Sequence, residues 1–136
     1  MIERILIVGL GSIGKRHLRL ARELFPNAKI AVLRHKVESI IAEYADHSFS
    51  TMDEALAFAP QVAVIANPAT FHLSVAMPLA KAGVHLLIEK PLSASTEGVT
   101  ALLNACKKTN AVLATGYNLR FLLSLQKFKS MLDDKV

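Results

Sequence analysis

The chain is short of the residues that staple small folds or stack on bases. It has one cysteine, Cys106, and no tryptophan, so neither a disulfide framework nor a metal cluster can be assembled within it. Cys106 falls on a helical stretch and reads as a small buried hydrophobe; no metal site is expected. No apolar run is long enough to cross a bilayer, and Met1-Ile2-Glu3-Arg4 lacks the charged-then-apolar order of a secretory leader. The expectation is a soluble, cytoplasmic protein with no membrane partner. Aromatic residues make up only 6% of the chain. None is interleaved with the clustered cations of the first helix, as a surface that stacks nucleic-acid bases would require, so no nucleic-acid partner is expected.

What is present is apolar content and a localised positive charge. With 136 residues, 52% of them hydrophobic, the chain is long enough to bury one core, and one domain is the natural expectation. Residues 1–36 carry eight Lys/Arg against two Glu, net +6, so the formal charge of +5 leaves −1 for the remainder. Lys15, Arg16, Arg19 and Arg22 fall along one helix and read as its solvated face.

Strand and helix signals alternate from the first residue to about Thr115, which predicts βα units and a parallel sheet. Strands are expected near residues 2–8, 29–34, 47–50, 62–66, 84–89 and 111–115. Most are continuous apolar runs, as strands covered on both faces should be. Helices are expected over 12–24, 36–45, 52–58, 70–82 and 96–109. Thr51-Met52-Asp53-Glu54 is a capping box, and Gly83 suits the left-handed residue after a helix. Pro78 removes a backbone donor inside the fourth helix and predicts a kink between Ser74 and Pro78. Phe121, Leu125, Phe128 and Leu132 recur at helical spacing, which predicts a final amphipathic helix packed on the core. The predicted architecture is α/β, a Rossmann-type, doubly wound parallel sheet of about six strands in three layers. Residues 1–120 would form the domain and 121–136 its terminal helix.

The most informative run is Ile5-Leu6-Ile7-Val8-Gly9-Leu10-Gly11-Ser12-Ile13-Gly14, an apolar strand feeding a glycine turn that opens onto a helix. Gly9 permits the tight turn, Gly11 lets the backbone approach a pyrophosphate, and Gly14 lets helix and strand lie close. The phosphates would meet free N–H groups where the helix starts near Ser12 and Ile13. Further ligand contacts should come from loops beyond the carboxyl ends of the strands. The second strand ends in Leu33-Arg34-His35-Lys36, where a carboxylate would ordinarily bond the adenosine ribose. Arg34 could clamp a 2′-phosphate there, with Lys36 adding charge, which favours NADP over NAD.

The loop Ala66-Asn67-Pro68-Ala69-Thr70-Phe71-His72 leads into a helix that Asn67 or Thr70 could cap, and it could also border a dinucleotide. His72 would lie in the first turn, where the helix dipole favours a neutral contact residue over a general base. Leu87-Ile88-Glu89-Lys90-Pro91 ends the next strand. A lysine after a buried strand can be partly desolvated and can polarise a carbonyl or share a proton with an alcohol, although spacing alone makes Lys90 a surface lysine. Pro91 is a candidate for a cis bond.

Read together, Gly9 to His17, Ala66 to His72, Glu89-Lys90-Pro91-Leu92 and Gly116-Tyr117-Asn118-Leu119-Arg120-Phe121 resemble the N-terminal domain of the glucose-fructose oxidoreductase, inositol dehydrogenase and rhizopine-catabolism (Gfo/Idh/MocA) family. The resemblance covers essentially the whole chain and implies an NAD(P)-dependent, homo-oligomeric oxidoreductase. It makes Lys90 the catalytic lysine near the reacting carbon, places Glu89, Asn67 and Asn118 along the ribose and nicotinamide, and makes Tyr117 to Phe121 the crossing into a second domain. It implies hydride exchange with a secondary alcohol or ketone of a sugar, cyclitol or sugar derivative. Family members commonly carry Asp where this chain has Arg34, and run to well over twice its length. A fragment that binds dinucleotide without turnover is therefore expected, with a non-catalytic dinucleotide sensor or interaction module as the alternative.

Overall fold

The computed structural model describes residues 1–35 and 41–133. Among the described residues six strands are found: β1 (Arg4–Val8), β2 (Lys29–Leu33), β3 (His47–Phe49), β4 (Val62–Ile65), β5 (His85–Ile88) and β6 (Leu113–Thr115). Accompanying them, among the same described residues, are five α-helices: α1 (Ser12–Leu24), α2 (Met52–Ala57), α3 (His72–Lys81), α4 (Val99–Thr109) and α5 (Leu123–Asp133). All strand pairs are parallel, in the order β3-β2-β1-β4-β5-β6. This is the doubly wound Rossmann order, whose direction of winding reverses between β1 and β4.

Side-chain alternation along each strand builds two cores. Leu6, Val8, Ala31, Leu33, Ala63 and Ile65 face α2, α3 and α4, contributing with Ala55, Ala76, Leu79 and Leu102 to one apolar cluster. Ile5, Ile7, Ile30, Val32 and Val64 face the other way and bury Leu18 of α1. At about 1.5–3 kcal/mol for each fully buried aliphatic side chain, these two layers dominate the stability. Cys106 lies in the first of them, and burial pushes its thiol pKa up, as its reading as a hydrophobe requires.

Several local expectations hold. Thr51 Oγ1 accepts from the Glu54 N–H while Glu54 reaches back to the Thr51 N–H, and Gly83 adopts φ +80° just beyond α3. Pro78 lies inside α3, which runs on to Lys81.

Three expectations are corrected. Residues 41–45 are not helical, and residues 36–40 of that expected helix lie outside the described residues. Arg22 is an anchor rather than part of a solvated face: its guanidinium donates to the carbonyls of Pro26, Ala28 and Tyr44 and to Asp46 Oδ2 at 2.7 Å. The final helix begins after a 3-10 turn over Asn118–Phe121, and no residue of α5 is buried. Phe121 is 73% exposed and Phe128 58%, so the apolar stripe does not pack on the sheet.

Candidate functional site

The winding reversal leaves a cleft at the carboxyl ends of β1, β2 and β4, and a cavity of about 740 Å³ occupies it. Its floor is the glycine turn. Gly9 has φ +86°, and a Cβ there would stand 2.9 Å from the Asn67 backbone. A Cβ on Gly14 would lie 2.0 Å from the Gly9 carbonyl oxygen, so only glycine lets α1 start this close to β1. At Gly11 a Cβ would meet nothing within 4 Å; its bare face opens onto free space, the cradle a pyrophosphate needs. Ser12 and Ile13 line the same cavity in the first turn of α1, where N–H groups lack intrahelical partners and the dipole favours an anion.

Of the other expected residues, Arg34, Asn67 and Pro68 also line this cavity. The Oδ1 of Asn67 is buried without a hydrogen-bond partner, an arrangement that proteins seldom leave unmet unless a ligand or water completes it. Together the open Gly11 face and this waiting acceptor fit a dinucleotide. Arg34 and His35 also border a second cavity of about 910 Å³ lined by Lys15, Arg16 and Arg19. Lys36 lies outside the described residues.

The remaining residues are placed elsewhere. Thr70 is exposed and does not line the cavity. Neither it nor Asn67 caps α3: a 3-10 turn over Ala69–Phe71 starts the helix, and no side chain caps it. His72 is not on the cavity wall; it is 1% exposed, with Nδ1 2.9 Å from the Pro91 carbonyl oxygen and Nε2 2.8 Å from that of Asn67. This corrects its reading as a contact residue, because the ring is enclosed between two loops. Asn118 is exposed in the turn before α5.

Glu89 and Lys90 follow β5, and the Lys90–Pro91 bond is cis. Lys90 is exposed, in line with its reading from spacing as a surface lysine. Glu89 is held: its Oε1 lies 2.7 Å from His17 Nε2, and Oε2 accepts from the Lys90 N–H at 3.3 Å. Gly116 makes room for it, since a Cβ there would stand 3.1–3.3 Å from the carboxylate. Sequence reasoning assigned no role to His17 or Gly116. The available signal was that His17 sits one turn beyond Gly14, on the side of α1 that meets the sheet.

Comparison with known proteins agrees with this geometry. The sequence model of the Gfo/Idh/MocA oxidoreductase family, its NAD-binding Rossmann fold, matches residues 3–117. The UDP-N-acetylglucosamine 3-dehydrogenase of Acidithiobacillus ferrooxidans is 31% identical over 118 residues, 82% of this chain and 36% of the relative. The myo-inositol 2-dehydrogenase of Thermotoga maritima is 27% identical over 140 residues, 96% of this chain and 41% of the relative. Among solved structures, the WlbA dehydrogenase of Bordetella pertussis, in complex with NADH and UDP-GlcNAcA, superposes with a TM-score of 0.83 at 25% identity, covering 98% of this chain and 40% of its own. The chain thus spans about two-fifths of the length of the relatives it matches. It belongs to the Gfo/Idh/MocA oxidoreductase family, and the matched residues are that family's NAD-binding Rossmann domain.

Proposed function

We propose that this domain holds a nicotinamide dinucleotide for hydride exchange with a secondary alcohol or ketone carbon of a sugar, cyclitol or sugar derivative, within a protein completed by a second, substrate-binding domain. The observation that carries this reading is the cavity over the glycine turn, with its open Gly11 face and the unpartnered Asn67 Oδ1. When bound, the cofactor supplies the hydride chemistry. The chain's own residues orient and stabilise. First-turn amides of α1 bind the diphosphate, and Asn67, Glu89 and Asn118 lie along the ribose and nicotinamide. Pro68 borders the dinucleotide, and Lys90 donates to the substrate oxygen as negative charge develops on it. The exposure of Lys90 here is consistent with a wall that the second domain would complete, with residues 121–136 leading towards it. By itself, the chain would bind dinucleotide with little or no turnover.

Arg34 and the neighbouring cations favour NADP, because a 2′-phosphate extending from the adenosine ribose would enter the cavity bordered by Arg34, Arg16 and Lys15. Lys36 would add to that charge. One relative was solved with NADH, which makes the choice between the two nucleotides a direct point of test. Calorimetric titration of this chain with NADPH and NADH is the test. Binding of either supports the reading, tighter binding of NADPH supports the 2′-phosphate assignment, and binding of neither at millimolar nucleotide overturns both.

A further inference from the structure

Lys90 is exposed, so its own burial does not fix where its amine points. We propose that His72 is a positioning residue that ties the Lys90 turn to the cofactor loop. The proposal rests on the reading of Lys90 as the group beside the reacting carbon. His72 begins α3 and is the buried polar or charged residue of the core among the described residues. Its Nδ1 faces the Pro91 carbonyl at 2.9 Å and its Nε2 the Asn67 carbonyl at 2.8 Å. A carbonyl only accepts, so a ring nitrogen must carry a proton to make either bond. Each neutral tautomer therefore holds one loop, and the imidazolium holds both.

These are the loops after the adjacent strands β4 and β5. One carries the Asn67 side chain at the cavity, and the other carries Lys90 immediately before Pro91. Glu89 is gripped upstream by His17; His72 grips the same turn downstream. A ring that served only to fill the core would need no donors, and an aromatic isostere would replace it without moving either loop.

The two amide side chains separate the two bonds, because an Asn nitrogen stands near the Nδ1 position and a Gln nitrogen near Nε2. His72→Asn keeps a donor for Pro91, His72→Gln keeps one for Asn67, and His72→Phe keeps neither. The probe is this chain with its lysine amines 13C-methylated, the Lys90 signal being assigned through Lys90→Arg, titrated with NADH and NADPH. In the wild-type chain the Lys90 signal should move on saturation. Phe and Gln variants should lose roughly half or more of that displacement and the Asn variant should restore it. The dinucleotide Kd should stay within about threefold throughout, because the diphosphate is held at the glycine turn.

Without nucleotide, the backbone amide signals of Lys90 and Leu92 should shift in the Phe and Gln variants and return in the Asn variant. If the Phe variant does not fold, the Asn–Gln contrast still decides. Wild-type Lys90 readouts in the Phe variant, or rescue by Gln as full as by Asn, would overturn the proposal. Should nucleotide bind the wild-type chain without moving the Lys90 signal, the assignment of Lys90 to the nicotinamide fails, and the amide signals still decide the role of His72.

Discussion

The turn after β1 and the turn after β5 both lie beyond the carboxyl ends of parallel strands but are built by opposite means. The first is backbone throughout: Gly9, Gly11 and Gly14 fit because they have no side chains, and the groups proposed to bind the diphosphate are main-chain amides. The second is held by side chains from far away in sequence, Glu89 by His17 and the Pro91 carbonyl by His72, while its lysine stands exposed. On the proposed function, the difference separates binding from chemistry. A site made of close backbone contacts is rigid and all-or-none, whereas one held by individual hydrogen bonds can lose a bond and keep the fold.

The sharpest way to break this contrast is Gly14→Ala. The added Cβ has 2.0 Å to a backbone oxygen and nowhere to go, so a loss on the order of 3–5 kcal/mol in thermal or urea unfolding is expected, together with dinucleotide binding. Retention of both would show that the glycine turn is adaptable. Lys90→Ala is the counterpart. Melting temperature and dinucleotide Kd should hardly change, while hydride transfer in the complete protein should fall about a hundredfold or more. Unaltered turnover would eliminate the catalytic assignment of Lys90.

A smaller effect is expected from Arg34→Asp, which should move the NADPH to NADH affinity ratio about tenfold towards NADH, or about 1.4 kcal/mol. An unchanged ratio would remove Arg34 from cofactor choice.

Asp46 sharpens the comparison on the glycine-turn side, where it links α1 to β2. Burial alone would raise its pKa, but hydrogen bonds from the Ile30 N–H and from Arg22, each 2.7 Å, outweigh that and hold it below the ordinary carboxylate value. A lowered folded pKa means stability that is present above the unfolded value, near 3.9, and lost as pH falls through the folded one. Asp46→Asn should therefore cost on the order of 1 kcal/mol at pH 7, and the gap to the wild-type chain should narrow below about pH 4. A gap independent of pH would mean that the charge is irrelevant.

Least of all should Phe128→Ser matter. α5 buries nothing, so a change within about 0.5 kcal/mol is expected in this chain. A larger loss would show that the helix packs in solution.

The parts legible in the sequence are those governed by neighbours along the chain. The strand runs, the glycine turn, the Thr51 capping box and the left-handed Gly83 each follow from a few consecutive residues. Periodicity told where α5 would form but not whether anything would cover it, because an amphipathic stripe requires a partner without naming one. Arg22 was misread for the same reason: its acceptors lie up to 24 residues away. His72 reads from the sequence as a neutral contact residue in a first turn, and only the approach of the loop at Pro91, 19 residues on, encloses it.

The amino-acid sequence by itself determined the apolar strands alternating with helices, the parallel α/β class and a glycine turn that opens onto a helix, since strand burial and glycine sterics act over a few residues. Tertiary structure alone decided that Glu89 meets His17, that Asn67 Oδ1 waits in the cleft, and that His72 bridges two loops. Those outcomes depend on which strands become neighbours, and strand order is set by the packing of the whole sheet rather than by any local run.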